Sequence, residues 1–394
     1  MKYEYIDNDK NKGIKYDWNK VYKELDKMKI IPNNVYYPKF NFYKNKWNVV
    51  CSERSIGKTT NVLLLGMILN KMYGTIIHYI REDEDMIRQS AVKDLFDIII
   101  SHDYIRKITD NKYNDVLYNK TVRRWYYCNT DENGIVTEKS NTHFMINMSI
   151  DNNERYKSSY NCDKGDFVIF DEFISKRYCR NDFIDFCDLM KTIFRDRLSP
   201  VIIMLANTID KSSEYFDELE VREFIETLNI GEKIDITTDK GTNIHLEIYG
   251  NSINSNSKKR INKEFFGFNN PRLNSITGGE WATSSYPHIT FDNVNVLYRN
   301  IFIKTKNKYV QIDIAKTEIG LVALLHMSNE PKNENAYIYT NDYIYDNREV
   351  YKFGNGSKLD KLIWNDLFKN NKFYYANNQV GALVENYINI SNRL

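Results

Sequence analysis

Two short apolar segments that end in polar residues constrain this chain more than any other feature of its sequence. The first, residues 47–51, leads into Ser-Glu-Arg-Ser-Ile-Gly-Lys-Thr at 52–59 and then into a stretch with helical apolar spacing. The second, residues 166–173, places Asp171 and Glu172 after four apolar residues. Strands that are apolar on both faces belong to parallel sheets covered by helices, and ligands gather at the carboxyl ends of such strands. The pair therefore predicts an α/β nucleotide-binding domain.

The run at 52–59 resembles the phosphate-binding loop G-x-x-x-x-G-K-[ST], with Ser52 in place of the first glycine. Gly57 allows a close backbone approach to phosphates, and the following helix start favours negative charge. Lys58 would reach the outer phosphates of ATP, whereas the alternative is a helix start that contains G-K-T by chance. The residues predicted to bind nucleotide are Ser52, Glu53, Arg54, Ser55, Ile56, Gly57, Lys58, Thr59 and Thr60, together with Asp171.

Asp171 and Glu172 supply the complementary half of a hydrolytic site. Asp171 and the Thr59 hydroxyl are the predicted Mg²⁺ ligands, and Glu172 is predicted to orient and deprotonate the attacking water. An Asp-Glu pair also occurs at strand ends by chance, but here a phosphate loop lies upstream. A glutamate directly after the magnesium aspartate is typical of P-loop ATPases with a catalytic glutamate and an extra central strand, the ASCE branch.

Four further polar residues have both a catalytic and a structural interpretation. Arg54 lies inside the loop, where it could contact a phosphate or simply face solvent. Asn207 ends the apolar run 200–206 and could sense the γ-phosphate or cap the strand end. Arg195 and Arg197 follow an amphipathic helix over 183–194, where the helix dipole alone favours arginine. From the residues alone, the structural interpretation is preferred for these last two.

The pattern along the chain divides it into three parts. Residues 1–250 are predicted to form the ATPase domain, with 1–45 as an irregular arm. Within this domain, the segment near 84–100 is predicted to form one continuous helix. Residues 251–290 are rich in Asn, Ser, Gly and Lys, which is typical of a linker. Residues 291–394 show successive strand patterns and then two helices near 358–369 and 379–392, which predicts a smaller α+β domain. A length of 394 residues accommodates this division.

Composition excludes several classes of protein. The five cysteines form no C-x-x-C pair, so neither a zinc site nor a disulfide framework is expected. The polar N-terminus does not resemble a signal peptide, and no apolar run reaches the roughly 18 residues of a membrane span. The formal net charge of +2 means that any nucleic-acid surface must be local.

Three segments resemble the genome-packaging ATPases of small phi29-like tailed phages, which are related to large terminase ATPases. They are Val168–Ile174, Leu189–Arg197 and Leu205–Asn207, and the loop 54–59 is similar too. Members of this family assemble as a pentameric ring at the portal vertex of an empty capsid and pump double-stranded DNA inward. The resemblance implies ATP and Mg²⁺ as cofactors, the portal or connector as a partner, and the host cytoplasm as location. In phi29 itself a packaging RNA bridges ATPase and capsid, and an RNA partner stays open for this chain.

The resemblance also implies roles for individual residues. Arg195 matches the family's arginine finger, which acts on the ATP of a neighbouring subunit, and this reverses the structural preference above. Lys157 approximately matches a second basic residue that acts in trans. Residues 291–394 resemble an RNase H-like nuclease that has lost its activity. Asp313 could mimic a nuclease carboxylate, but the other metal-binding acids are missing, so no nuclease activity is expected.

A packaging motor must accept any DNA sequence, so its contacts are expected to be mainly to phosphates. The candidates are Arg81, Lys120, Arg123, Arg124 and the cluster Lys258, Lys259 and Arg260, each of which could instead be a solvated surface charge. Two alternatives to the packaging ATPase stay open: a large-terminase-type motor with a working nuclease in 291–394, and a non-hydrolysing nucleic-acid scaffold with a degenerate loop.

Overall fold

A computed structural model describes residues 15–28, 35–52, 56–152, 156, 165–174, 182–195, 197–207, 213–250, 286–291, 293–305 and 308–393. Contacts between Cα atoms divide the chain into two compact units. The described residues up to 250 belong to the first unit, and those from 286 onward belong to the second.

Ten described strands of the first unit form one sheet. They are β1 (Trp47–Ser52), β2 (Ile77–Arg81), β3 (Asp115–Asn119), β4 (Arg124–Thr130), β5 (Val136–Lys139), β6 (Met145–Ser149), β7 (Phe167–Asp171), β8 (Val201–Asn207), β9 (Lys233–Thr237) and β10 (Asn243–Tyr249). The helices are α1 (Trp18–Lys27), α2 (Lys58–Tyr73), a 3₁₀ turn (Glu84–Ile87), α3 (Gln89–Val92), α4 (Asp97–Ser101), α5 (Tyr104–Ile108), α6 (Asp182–Phe194), α7 (Glu214–Glu218) and α8 (Arg222–Thr227).

The centre of this sheet is parallel and its edges are antiparallel. The order β6-β2-β7-β8-β1-β10 is parallel throughout. β4 joins β6 and β9 joins β10 in the antiparallel sense, and β3 and β5 both pair with β4 in the same way. The mostly parallel α/β sheet predicted from the sequence is therefore confirmed, and β8 lies between β1 and β7 as an additional central strand.

Helices cover both faces of the parallel strands. On one face, Phe167 and Ile169 of β7 pack in a buried cluster with residues of α1 and α2. On the other face, Phe170 stacks on Phe186 of α6, with ring centroids 4.7 Å apart. Alternate residues of β7 thus enter two separate cores, which is the reason that the strand is apolar on both faces.

Two local predictions for the first unit are wrong. The arm is not wholly irregular, because Trp18, Val21 and Leu25 bury one face of α1, and the Asp17 side chain caps this helix by accepting from the Lys20 N–H. The segment 84–100 is not one helix, because Arg88 has an extended backbone with ψ of 155° that separates the 3₁₀ turn from α3.

The second unit is built on a six-stranded sheet with the order β15-β14-β11-β12-β13-β16. Its strands are β11 (Asn295–Thr305), β12 (Lys308–Thr317), β13 (Gly320–Ser328), β14 (Tyr337–Thr340), β15 (Glu349–Tyr351) and β16 (Phe373–Tyr375). β11, β12 and β13 are antiparallel neighbours, whereas β14 runs parallel to β11, β15 to β14 and β16 to β13. Two register shifts bulge β11, one between Val296 and Tyr298 and one between Tyr298 and Ile301.

Helical segments cover one face of this second sheet. The short helix α9 (Lys358–Asp360) continues as a π-helix over Lys361–Phe368, and α10 spans Asn378–Arg393. Trp364 and Val384 from these segments pack against Val310 and Ile312 of β12 in one buried cluster. Gln311 and Asp313 alternate with these apolar residues and therefore lie on the opposite face.

Candidate active site

The end of β1 and the start of α2 make the turn that the sequence predicted as a phosphate loop. Ser52 is buried at the last position of β1, and α2 begins at Lys58. Gly57 stands before it in the left-handed conformation, with φ of 73°, and an added Cβ would lie 2.8 Å from Val35 Cγ1. Glycine is therefore required at 57 by both backbone conformation and space. Glu53, Arg54 and Ser55 lie outside the described residues.

Lys58 and Asn207 meet beside this turn. The Lys58 ammonium donates to Asn207 Oδ1 at 2.6 Å, and both residues are at least nine-tenths buried. Ser52 and Asn207 are register partners at the ends of neighbouring strands, which explains why Asn207 is within reach of the loop. One of the Lys58 N–H donors is thus taken by the Asn207 amide oxygen. In the predicted role of Lys58, that donor would bind an outer phosphate oxygen of ATP.

Thr59 and Asp171 face each other across α2 and β7. The Thr59 hydroxyl donates to the Asp171 carboxylate at 3.1 and 3.2 Å, and Tyr79 OH donates to Asp171 Oδ2 at 2.8 Å. Burial raises the pKa of Tyr79 well above its usual range, with a further contribution from Asp171, so the phenol remains a donor. One hydroxyl and one carboxylate that are already in contact are the protein oxygens that Mg²⁺ uses beside phosphates, so the two predicted ligands fit this ion.

Glu172, the residue after Asp171, has an unusual backbone conformation. Its φ is 55°, and about half of its side chain is exposed. Arg81, at the end of β2, holds both carboxylates, with Nη2 3.1 Å from Glu172 Oε2 and Nη1 3.5 Å from Asp171 Oδ2. The Arg81 guanidinium is mostly buried against the two acids, and a contact of this residue with DNA stays a prediction.

Arg195 and Arg197 have different surroundings in the structure. Arg197 donates to Asp166 Oδ1 at 2.7 Å and to the Ile193 carbonyl at 2.8 Å, so it is a buried structural residue. Arg195 is exposed just after α6. Because α6 runs back from the end of β7 to the start of β8, and Arg197 contacts the residue before β7, Arg195 lies at the amino edge of these strands. Lys58 and Asp171 lie at the opposite edge.

The other basic candidates are distributed differently. Arg123 donates a hydrogen bond to Tyr156 OH and forms an ion pair with Glu84, so its guanidinium is engaged by partners within the protein. Lys120 is exposed in the turn between β3 and β4, and Arg124 is half-buried. Lys157, Lys258, Lys259 and Arg260 lie outside the described residues.

The sequence missed Tyr79 as a partner of Asp171. It lies within an apolar strand and carried no signal beyond standing two residues before Arg81. Within the described part of the chain, no group of three or more His, Cys, Asp or Glu side chains could hold a metal ion. No helix there has the length and apolar character that a membrane crossing requires.

Solved structures that match most of the chain include two proteins of phage packaging motors. One is the phi28 gp11 DNA packaging motor, 17% identical, covering 91% of this chain and 98% of that chain with a TM-score of 0.54. The other is the bacteriophage phi29 viral genome packaging motor assembly, 16% identical, covering 91% and 100% with a TM-score of 0.56. The chain shares the fold of these packaging-motor proteins. No protein-family model and no curated protein matches the sequence.

A third match is more distant. The large terminase of a thermophilic bacteriophage, in complex with ADP, is 9% identical, covering 94% of this chain and 90% of that chain. Its TM-score of 0.38 is too low to establish a common fold.

Proposed function

We propose that this chain is an ATP hydrolase that drives double-stranded DNA into a preformed capsid as one subunit of a ring-shaped packaging motor. The observation that carries the proposal is the meeting of Lys58, Thr59, Asp171 and Asn207 at the carboxyl ends of β1, β7 and β8, with Glu172 next to them. The shared fold with two packaging-motor proteins supports the same function.

In the proposed reaction, Lys58 and the amides at the start of α2 bind the β- and γ-phosphates of ATP. The Thr59 hydroxyl and the Asp171 carboxylate would hold Mg²⁺, and the ion would supply positive charge beside the phosphates. Glu172 accepts a proton from the water that attacks the γ-phosphate, while the bond between the γ-phosphorus and the β,γ-bridging oxygen breaks and ADP leaves. Since Arg81 pairs with Glu172 in the described conformation, the carboxylate must leave Arg81 before it can face that water.

Arg195 is proposed to act on the ATP of a neighbouring subunit. The five-residue length of β7 separates the two edges of the sheet by about 16 Å, at roughly 3.3 Å per residue. An arginine at the amino edge is therefore too far from its own Lys58 and Asp171, and contact with nucleotide needs a second subunit. A ring, with five subunits as in the resembled family, provides that arrangement. Arg54 and Lys157 are proposed to assist as further basic residues.

The remaining partners are proposed from the resemblance. They are double-stranded DNA, the portal of the capsid, and a packaging RNA as an optional bridge, with the motor in the host cytoplasm and transiently at the portal vertex. Among the candidates that the structure describes, Lys120 is the exposed one and is proposed to contact a DNA phosphate. We place no membrane among the partners.

Residues 291–394 are proposed to be a vestigial RNase H-like nuclease. β11 is the central strand between antiparallel β12 and parallel β14, yet none of its residues is Asp or Glu. Asp313 on β12 receives a hydrogen bond from Gln311 at 2.7 Å and lies 3.4 Å from His326. Such pairing leaves the carboxylate engaged, which favours an inactive domain over a terminase-type nuclease.

Magnesium-dependent ATP turnover, with and without double-stranded DNA, tests the proposal. Wild-type protein should hydrolyse ATP, and Lys58→Ala should abolish turnover, whereas the matched control Lys93→Ala, on the surface, should not. A wild-type protein that binds DNA without turnover would favour the scaffold alternative. Metal-dependent plasmid cleavage that disappears in Asp313→Ala would favour the terminase-type motor.

A subunit-mixing experiment tests the action of Arg195 in trans. Arg195→Ala and Glu172→Gln should each be inactive alone. Mixtures should recover part of the turnover, because some interfaces then combine an intact Glu172 with an intact Arg195. Assembled mixtures without any recovery would contradict the trans assignment.

A further inference from the structure

The segment before β1 reaches the predicted phosphate loop from outside the sheet. Tyr36 is fully buried, and its N–H donates to the Ile56 carbonyl at 2.9 Å. The Tyr36 carbonyl in turn accepts from Asn61 Nδ2 at 2.5 Å. Ile56 lies in the loop and Asn61 in the first turn of α2, so one residue of the arm joins the loop to the helix that follows it. We name Tyr36, Ile56 and Asn61 the clasp.

The clasp lies beside Gly57, which joins the loop to α2. Gly57 has a left-handed backbone and provides no side-chain cap for α2. Its α-carbon packs closely against Val35, the residue before Tyr36, as the 2.8 Å approach of Val35 Cγ1 to an added Cβ shows. Val35 and Tyr36 thus contact both residues of the Ile56–Gly57 peptide.

Strand β10, which lies between β1 and β9, anchors the clasp in turn. The Tyr36 ring meets the edge of Tyr249, with centroids 5.0 Å apart, and its hydroxyl donates to Glu247 Oε2 at 3.3 Å. Tyr249 is the register partner of Ser52, so the clasp is tied to the strand next to the start of the loop. Burial raises the pKa of Tyr36, with Glu247 adding to the effect, so its hydroxyl remains a donor.

We propose that Tyr36 and Asn61 are positioning residues that hold residues 56–58, at the end of the predicted phosphate-binding loop, in place for nucleotide binding. The inference rests on the proposed function for what the loop binds. A loop ordered during folding does not have to be ordered again on binding, so the clasp should improve ATP affinity. Because a held loop binds substrate and transition state equally well, loss of the clasp should raise KM for ATP and leave kcat nearly unchanged.

Asn70 offers a matched control on the same helix. Its Nδ2 donates to the Thr75 carbonyl at 2.9 Å, a bond of the same type at the opposite end of α2. Asn61→Leu and Asn70→Leu thus each remove one amide-to-carbonyl bond, and only the first touches the loop.

The experiment compares both variants by ATPase kinetics and by hydrogen–deuterium exchange of nucleotide-free protein, with urea stability measured in parallel. Asn61→Leu should raise KM for ATP about tenfold, the equivalent of one lost buried hydrogen bond, with kcat within about twofold. Amide exchange over 56–61 should also accelerate. Asn70→Leu should lose a comparable amount of stability, but KM for ATP and amide exchange over 56–61 should stay unchanged.

An unchanged exchange rate over 56–61 in Asn61→Leu would overturn the inference, as would an equal rise of KM in Asn70→Leu. Asn61→Ser, too short to reach the Tyr36 carbonyl, replaces Asn61→Leu if that variant folds poorly. Because the exchange measurement needs no nucleotide, a wild-type protein without Lys58-dependent turnover would refute the proposed function alone.

Discussion

Asp171 in the first unit and Asp313 in the second show how strand direction decides what an acid can do. Asp171 ends a parallel strand, and three residues from other elements converge on it: Thr59, Tyr79 and Arg81. Asp313 lies inside an antiparallel strand, and its partners come from its own hairpin and from β11. Parallel strands bring all their carboxyl ends to one edge, whereas antiparallel neighbours send theirs to opposite edges. The parallel arrangement gathers several side chains around Asp171 into a site. In the antiparallel arrangement, neighbouring side chains pair with Asp313 alone.

The largest expected contrast is catalytic. Glu172→Gln keeps the size of the side chain but cannot accept a proton, so kcat should fall about 10²–10⁴-fold. Asp313→Asn should leave kcat within about twofold. Both are measured as steady-state phosphate release with Mg²⁺ and DNA. An equal loss of turnover in the two variants would break the distinction between the two sheets.

The next contrast concerns stability. Arg197 pairs with fully buried Asp166, so Arg197→Met leaves an uncompensated carboxylate and should cost about 3–5 kcal/mol of unfolding free energy. Arg299 is 68% exposed and lies 3.8 Å from Asp313, so Arg299→Met should cost less than about 0.5 kcal/mol. Urea denaturation, with the transition of each unit fitted separately, measures both. The Ser199 and Tyr16 hydroxyls also donate hydrogen bonds to Asp166 Oδ2, so a small loss for Arg197→Met would mean that these two bonds alone satisfy the carboxylate.

The smallest contrast is in pH dependence. Burial lowers the pKa of His78 to about 3, with repulsion from Arg197 and His143 adding to it. The hydrogen bond to Asp313 raises the pKa of His326, although burial opposes the rise. The unfolded chain protonates histidine near a pH of about 6.5. His78 therefore removes stability as the pH falls from about 6.5 towards 3, whereas His326 adds stability that is present below about 6.5 and is lost as the pH rises through its higher folded pKa.

NMR titration of the histidine ring signals, assigned with His78→Gln and His326→Gln, measures both midpoints. His78 should stay neutral throughout the native range, and His326 should titrate above the ordinary histidine value of about 6.5. A His78 midpoint near that ordinary value would show that its site on β2 is open to water.

Much of the candidate site could be predicted because its signals are local. Gly57, Lys58 and Thr59 stand together, and Asp171, Glu172 and Asn207 each follow an apolar run. Tyr79 and Tyr36 could not be predicted in the same way, because their partners are 92 and 25 residues away and neither has a distinctive neighbour. Arg81 ends strand β2, and only the structure shows which acids it contacts.

The sequence by itself determined the alternation of apolar strands with helices and the polar residues at the strand ends, because residue spacing and backbone preference act over a few positions. The tertiary structure decided that β8 separates β1 from β7, that Arg195 lies at the far edge from Lys58, and that Tyr36 joins the loop to α2. Each of these depends on pairing between segments that are distant along the chain, and such pairing is selected by the packing of the whole sheet rather than by any one segment.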